Sequence, residues 1–137
     1  LLPDFARAVY EGVAFAARQA LETLKISADV DSDIISCGGG GFRSQAWTQI
    51  RADVLNKPLQ RLTSGEPGIS GAVTLAAIGT GIYSNFEEAS TALSQYSAPN
   101  IPDPKQVEIY ASVFEIYKDA IKANANIGKR LTHLGEG

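Results

Sequence analysis

Four consecutive glycines, Gly38 to Gly41, follow directly on the short apolar run Ile34-Ile35-Ser36-Cys37. A buried strand that enters a side-chain-free bend and then a helix is suited to hold a phosphate ester. Glycine lets a ligand reach the backbone, and the N–H groups of a helix start, carrying about half a unit charge of dipole, attract an anion. One or two glycines suffice for a tight turn, so a run of four points beyond turning the chain. The P-loop pattern needs Gly-Lys and then Ser or Thr, and Gly41-Phe42-Arg43 lacks it. The dinucleotide pattern fits in part, as Gly39-x-Gly41-x-x-Ser44, with Arg61 at the end of the next strand suited to a 2′-phosphate. The long helix before the strand and the serine at the last glycine position count against that alternative.

Other chemistry is thinly represented. The net charge of −3 and the scattered Lys and Arg residues argue against nucleic acid and anionic membrane as partners. Cys37 and His133 are the only residues of their types, too few for a zinc site, and a single cysteine allows no internal disulfide. Asp29, Asp31 and Asp33 alternate like the start of a calcium loop, but Ile34 and Gly40 stand where that loop needs glycine and glutamate. No apolar stretch is long enough to span a bilayer, and a cytoplasmic setting is expected.

The elements that must position the glycines can be read from periodicity. After Pro3-Asp4, the residues Phe5, Val9, Val13, Ala16, Ala20 and Leu24 recur at helical spacing. Gly12 within that helix predicts close approach of another backbone. Ile34 to Cys37 reads as a strand. Ser44 to Leu55 reads as a helix with Trp47, Ile50, Val54 and Leu55 inward, ended by Asn56-Lys57-Pro58. Leu59 to Leu62 reads as a second, parallel strand. The loop Ser64 to Gly68 leads into a helix of small residues (Ser70, Gly71, Ala72, Ala76, Ala77), expected to be buried between larger layers. A turn over 79–85, a short helix from Phe86 to Leu93 and an irregular connection from Tyr96 to Pro102 follow. Asp103-Pro104 starts a last helix with Val107, Tyr110, Phe114, Tyr117 and Ile121 on one face, read as core. Arg7 and Glu11 form an i,i+4 surface pair. Two strands cannot cover four or more helices. The lack of methionine and the start within a helix further suggest a piece of a longer chain, with the rest of the sheet upstream.

The stretch from Cys37 through the glycines, Phe42-Arg43-Ser44-Gln45-Ala46-Trp47, Gln49 and Ala52-Asp53-Val54-Leu55 to Leu59 closely resembles the adenosine motif of the FGGY carbohydrate kinases. The likeness continues in Arg7 to Phe15, in Glu66-Pro67-Gly68-Ile69-Ser70-Gly71-Ala72, in Gly79-Thr80-Gly81-Ile82-Tyr83 with Glu87-Glu88-Ala89, and in Pro102-Asp103-Pro104 with the Tyr110 and Tyr117 helix. These pieces occur in the family's order over nearly the whole chain, and their wording lies nearest the xylulose-type members.

The resemblance implies an α/β fold, part of a ribonuclease H-like (actin-like ATPase) domain, with residues 1–137 forming the C-terminal part of the ATP-binding domain. It places Gly39, Gly40 and Gly41 against the ribose and α-phosphate of ATP, and Ser44 and Gln45 near the adenine. Phe42 replaces the family's usual alanine or serine, which implies a narrower adenine pocket. Trp47 and Gln49 match the motif and read as packing and anchoring residues. The catalytic base, the phosphate loops and most contacts to Mg2+ are expected outside this chain, so the chain alone would transfer nothing. The implied partners are ATP and a small carbohydrate, a ketopentose or relative, with a homodimer allowed. Besides the dinucleotide domain, a non-catalytic actin-like interaction module is the other alternative.

Overall fold

The computed structural model describes residues 2–29 and 31–134, without the side chains of 129 and 131–134. His133, and Val30 of the polar turn, lie outside that description. Helix α1 (Leu2–Ala28) leads to strand β1 (Ile35–Cys37). A single 3-10 turn at Gly40–Phe42 precedes α2 (Gln45–Leu55) and strand β2 (Leu59–Arg61). Helices α3 (Pro67–Gly79), α4 (Phe86–Leu93) and α5 (Pro104–Leu134) complete the order. The two strands are parallel, with Ile35 opposite Leu59 and Cys37 opposite Arg61, as a strand–helix–strand connection requires.

Local chemistry sets the helix ends. Ser44 is the N-cap of α2, its Oγ accepting from the Trp47 N–H at 3.3 Å. Asn85 caps α4 in the same way, accepting from the Glu88 N–H at 2.9 Å. The stop of α2 differs in cause from the expected effect of Pro58. Asn56 adopts the left-handed conformation (φ 49°), and its N–H returns to the carbonyls of Ala52 and Asp53. The connection read as irregular is ordered: Leu59 pairs with Asn100 and Leu62 with Tyr96 as antiparallel bridges. Thr63 and Ser97 add backbone bonds of 2.7 and 2.8 Å to Gln95 and Arg61. β2 is therefore flanked on both sides.

The core lies where α1, α2 and α5 meet. Ala14, Phe15, Val54, Tyr110 and Phe114 form one buried cluster, with Ile50 and Tyr117 packed against it. Phe15 stands edge-on to Tyr110 (71°, centroids 6.0 Å apart) and tilted to Phe114 at 5.9 Å, spacings at which aromatic pairs attract. The aromatic face of α5 is core as expected as far as Tyr117, whereas Ile121 is exposed. The reading of α1 needs correcting. Phe5, Val9 and Val13 are 72%, 53% and 48% exposed, and Ala14 and Phe15, one step around the helix, are the residues buried. A Cβ at Gly12 would meet nothing within 4 Å, so no backbone approaches it among the described residues. Helix α3 is also more open than its composition implied. Only Thr74 and Ala77 are buried, and Ile69, Val73 and Leu75 face outward.

Candidate functional site

The glycine bend sits at the end of β1, and its four residues answer to different constraints. A Cβ on Gly38 would overlap Pro67 Cγ, because α3 begins directly against the bend. Gly39 has φ +91°, a conformation that L side chains rarely adopt. A Cβ on Gly41 would come within 2.9 Å of the Trp47 ring. These three are glycine for reasons internal to the fold. Gly40 is not: it is exposed, and a Cβ there meets nothing within 4 Å. The bend closes through Phe42 N–H to Gly39 O (3.1 Å) and Arg43 N–H to Gly40 O (3.2 Å). The Gly40 and Gly41 N–H groups precede those bonds, where helix geometry supplies no partner.

Three cavities adjoin the bend, and two of them reach residues 39–45. One of about 170 Å³ is lined by Gly39, Arg43, Arg61, Leu62, Thr63, Gly65 and Glu66. The other, of about 230 Å³, is lined by Phe42, Gln45, Thr48, Arg61 and the 97–100 segment. Arg61 borders both. Arg43 Nη2 and Glu66 Oε1 are 2.8 Å apart at the rim of the first. Glu66 occupies the N-cap position of α3 without a side-chain capping bond, so its carboxylate serves Arg43 rather than the helix end. The Cys37 thiol, one residue before the bend, is pushed up by burial, with Arg51 and Arg61 drawing it back in part. It is a protonated, packed group and a poor nucleophile near neutral pH.

The site residues read from the sequence therefore divide. Gly39 borders the first cavity and Gln45 the second, and Gly40 lies open beside the bend. Gly41 is turned against Trp47, and the Ser44 hydroxyl is engaged in capping. The Phe42 ring lies on the Arg51 guanidinium, 4.2 Å from ring centroid to the central carbon. Gln49 anchors more than its own helix: its amide donates at 2.8 Å both to Asp53 Oδ1 and to Ile101 O. Asp53 itself is 4% exposed and accepts from the Asp103 N–H at 2.8 Å. A buried carboxylate thus fixes the segment that walls the second cavity, a role its place in the α2 pattern did not reveal. Asp31, from the rejected calcium pattern, is held between Lys25 (2.6 Å) and Lys57 (2.8 Å). Those hydrogen bonds keep its carboxyl below the usual range. Among the described residues no three His, Cys, Asp or Glu side chains converge as a metal cage, and no helix is long and apolar enough to cross a membrane.

Comparison with known proteins gives this arrangement a context. Residues 2–80 match the model of the C-terminal domain of the FGGY family of carbohydrate kinases. The xylulose kinase of Lactococcus lactis is 31% identical over 134 residues, covering 96% of this chain and 26% of that protein. Among solved structures, a ligand-bound xylulose kinase from Lactobacillus acidophilus superposes with a TM-score of 0.79 at 25% identity, over 91% of this chain and 25% of its own. A gluconate kinase from the same organism gives 0.78 at 25% identity, with the same coverage. The chain spans about a quarter of the length of these relatives. The dinucleotide-domain alternative is overturned: the strand–glycine–helix unit and Arg61 lie within the residues matched by a carbohydrate-kinase domain, in an actin-like ATPase fold. With its family model matched over more than half its length, the chain belongs to the FGGY family of carbohydrate kinases, residues 2–80 matching that family's C-terminal domain.

Proposed function

We propose that residues 1–137 are the adenosine-binding part of an ATP-dependent kinase that phosphorylates a hydroxyl of a ketopentose or related carbohydrate. The observation that carries this reading is Gly40. Its neighbours are glycine because the fold demands it, whereas Gly40 leaves open, beside unpartnered N–H groups, a space that none of the described residues fills. Such a space suits the ribose and α-phosphate of ATP, with Gly39 and Gly41 shaping the bend and Gln45 and Ser44 on the adenine side. ATP supplies the phosphoryl group to be transferred. Mg2+, when bound, would offset the charge of the phosphates, with protein ligands outside these residues. Transfer rests on positioning and electrostatic stabilisation. This chain contributes the nucleotide's far end, and the base that accepts the sugar proton lies elsewhere, so the isolated chain binds nucleotide weakly and transfers nothing.

The relatives' length and the bare apolar faces of α1 and α3 support one further part of this reading: those faces seat the remaining strands of the lobe. Residues 81–137 belong to the same lobe, since the 95–100 segment bonds to β2 and α5 shares the core with α1. The single, packed Cys37 fits a reducing, cytoplasmic setting.

Gly40→Val in the full-length protein tests the reading. Because a Cβ at that position meets nothing within 4 Å among the described residues, the variant is expected to fold and melt as the parent does. ATP affinity, measured by calorimetric titration with Mg2+, is expected to fall by tenfold or more, about 1.4 kcal/mol. Unchanged affinity in a folded variant would refute the assignment, and absence of ATP binding by the parent would favour the non-catalytic module.

A further inference from the structure

We propose that Arg51 is a positioning residue for the nucleotide-binding bend, acting through a stack of side chains rather than by touching the ligand. This inference rests on the reading of the bend as the ATP site.

Four layers stand in sequence. Tyr10 of α1 packs on Trp47 with centroids 5.0 Å apart and planes 32° apart. The Arg51 guanidinium carbon lies 3.6 Å from the Trp47 ring centroid and 4.2 Å from that of Phe42. Trp47 and Arg51 are one helical turn apart on α2, so a rigid element presents both. Phe42 ends the 3-10 turn, with its N–H bound to Gly39 O and its carbonyl accepting from Thr48 Oγ1 at 3.4 Å. The bend lies directly on this stack: a Cβ added to Gly41 would meet Trp47 at 2.9 Å and Arg51 Nη2 at 3.4 Å.

The charge environment supports the arrangement. No ion pair joins Arg51 to a carboxylate among the described residues, and burial lowers its pKa. Two ring faces solvate the cation instead, an attraction that strengthens as water is removed. A planar guanidinium can lie between two rings at once, which an ammonium cannot reproduce. Removing it would take the floor from under Phe42 and leave residues 39–43 to be ordered when nucleotide arrives, at a cost in affinity. The same geometry accounts for a phenylalanine at position 42, whose ring is turned onto the stack.

The test combines Arg51→Ala, Arg51→Lys and Phe42→Leu in the full chain. Amide hydrogen exchange is followed without ligand, and Mg·ATP is titrated by calorimetry. Trp47 is the only tryptophan of residues 1–137, so within those residues its emission reports directly on the stack. Arg51→Ala is expected to speed exchange at residues 40–43 at least threefold, to shift Trp47 emission, and to weaken ATP binding roughly three- to tenfold. Arg51→Lys should recover part of each effect, and Phe42→Leu should repeat the loop and affinity changes from the other side of the stack. Unchanged exchange in the bend, or unchanged ATP affinity despite faster exchange, would overturn the inference while leaving the nucleotide site intact. A parent chain that binds no ATP would overturn the reading beneath it, and the inference with it. Should Arg51→Ala fail to fold, the exchange rates and ATP affinity of Phe42→Leu decide the matter by the same outcomes.

Discussion

Helix α1 has two apolar sides with opposite fates. On one, Ala14 and Phe15 are sealed against Val54, Tyr110 and Phe114. On the other, Phe5, Val9, Val13 and Leu24 stand in solvent, as do Ile69, Val73 and Leu75 of α3. Both sides are apolar, and their neighbours differ. The buried side is closed by aromatic rings at 5.4–6.0 Å and by a polar clasp at its edge. In that clasp the Tyr110 hydroxyl donates to Glu11 Oε1 at 2.8 Å and accepts from Arg7 Nη2 at 3.0 Å. The bare side has no such closure. An apolar stripe identifies a surface that another layer can cover, and only the packing partner decides whether it contributes to the stability of a given chain.

That difference can be broken by substitution. Phe114→Ala should have the largest effect, about 3–5 kcal/mol by denaturant unfolding, since it removes a fully buried ring and leaves a cavity. Tyr110→Phe keeps the ring and removes the clasp, with an expected loss of about 1 kcal/mol at neutral pH. It should also flatten the alkaline limb of the stability profile. Burial, and next the bond to Glu11, raise the Tyr110 pKa above its ordinary value, so the folded state favours the neutral phenol. Its contribution is therefore complete below about pH 10 and is lost as pH rises through the elevated folded value. Val9→Gln on the bare side should be nearly silent, within about 0.5 kcal/mol. A loss from Val9→Gln comparable with that from Phe114→Ala would show that the outward stripe is packed in solution.

These contrasts explain which features are legible in the residues alone. The glycine bend, the start of α2 at Ser44 and the whole of α4 are legible because turn and cap chemistry is local. The aromatic face of α5 is legible because Tyr110, Phe114 and Tyr117 recur at helical spacing as rings that pack on Phe15, although the neighbouring apolar residues Ile109, Val113 and Ile116 stay exposed. Helix α1 offers two competing stripes, and periodicity alone selects the one that faces solvent here. Pairing of residues 96–100 with β2 is hidden, since the partners lie more than thirty residues apart and share no local pattern. Asp53 is equally opaque: Gln49 lies one turn away on the same helix, but the Asp103 N–H is fifty residues on and shares no local pattern with it. At the site, sequence locates the glycines but does not separate those the fold requires from the one it leaves free. That separation comes from what a Cβ would meet at each position.

The most direct test of the nucleotide assignment is amide hydrogen exchange of the unaltered chain with and without saturating Mg·ATP. The account predicts slowed exchange concentrated at residues 39–45, the bend and the first turn of α2. Protection confined to other segments, with the bend exchanging at its ligand-free rate, would contradict it.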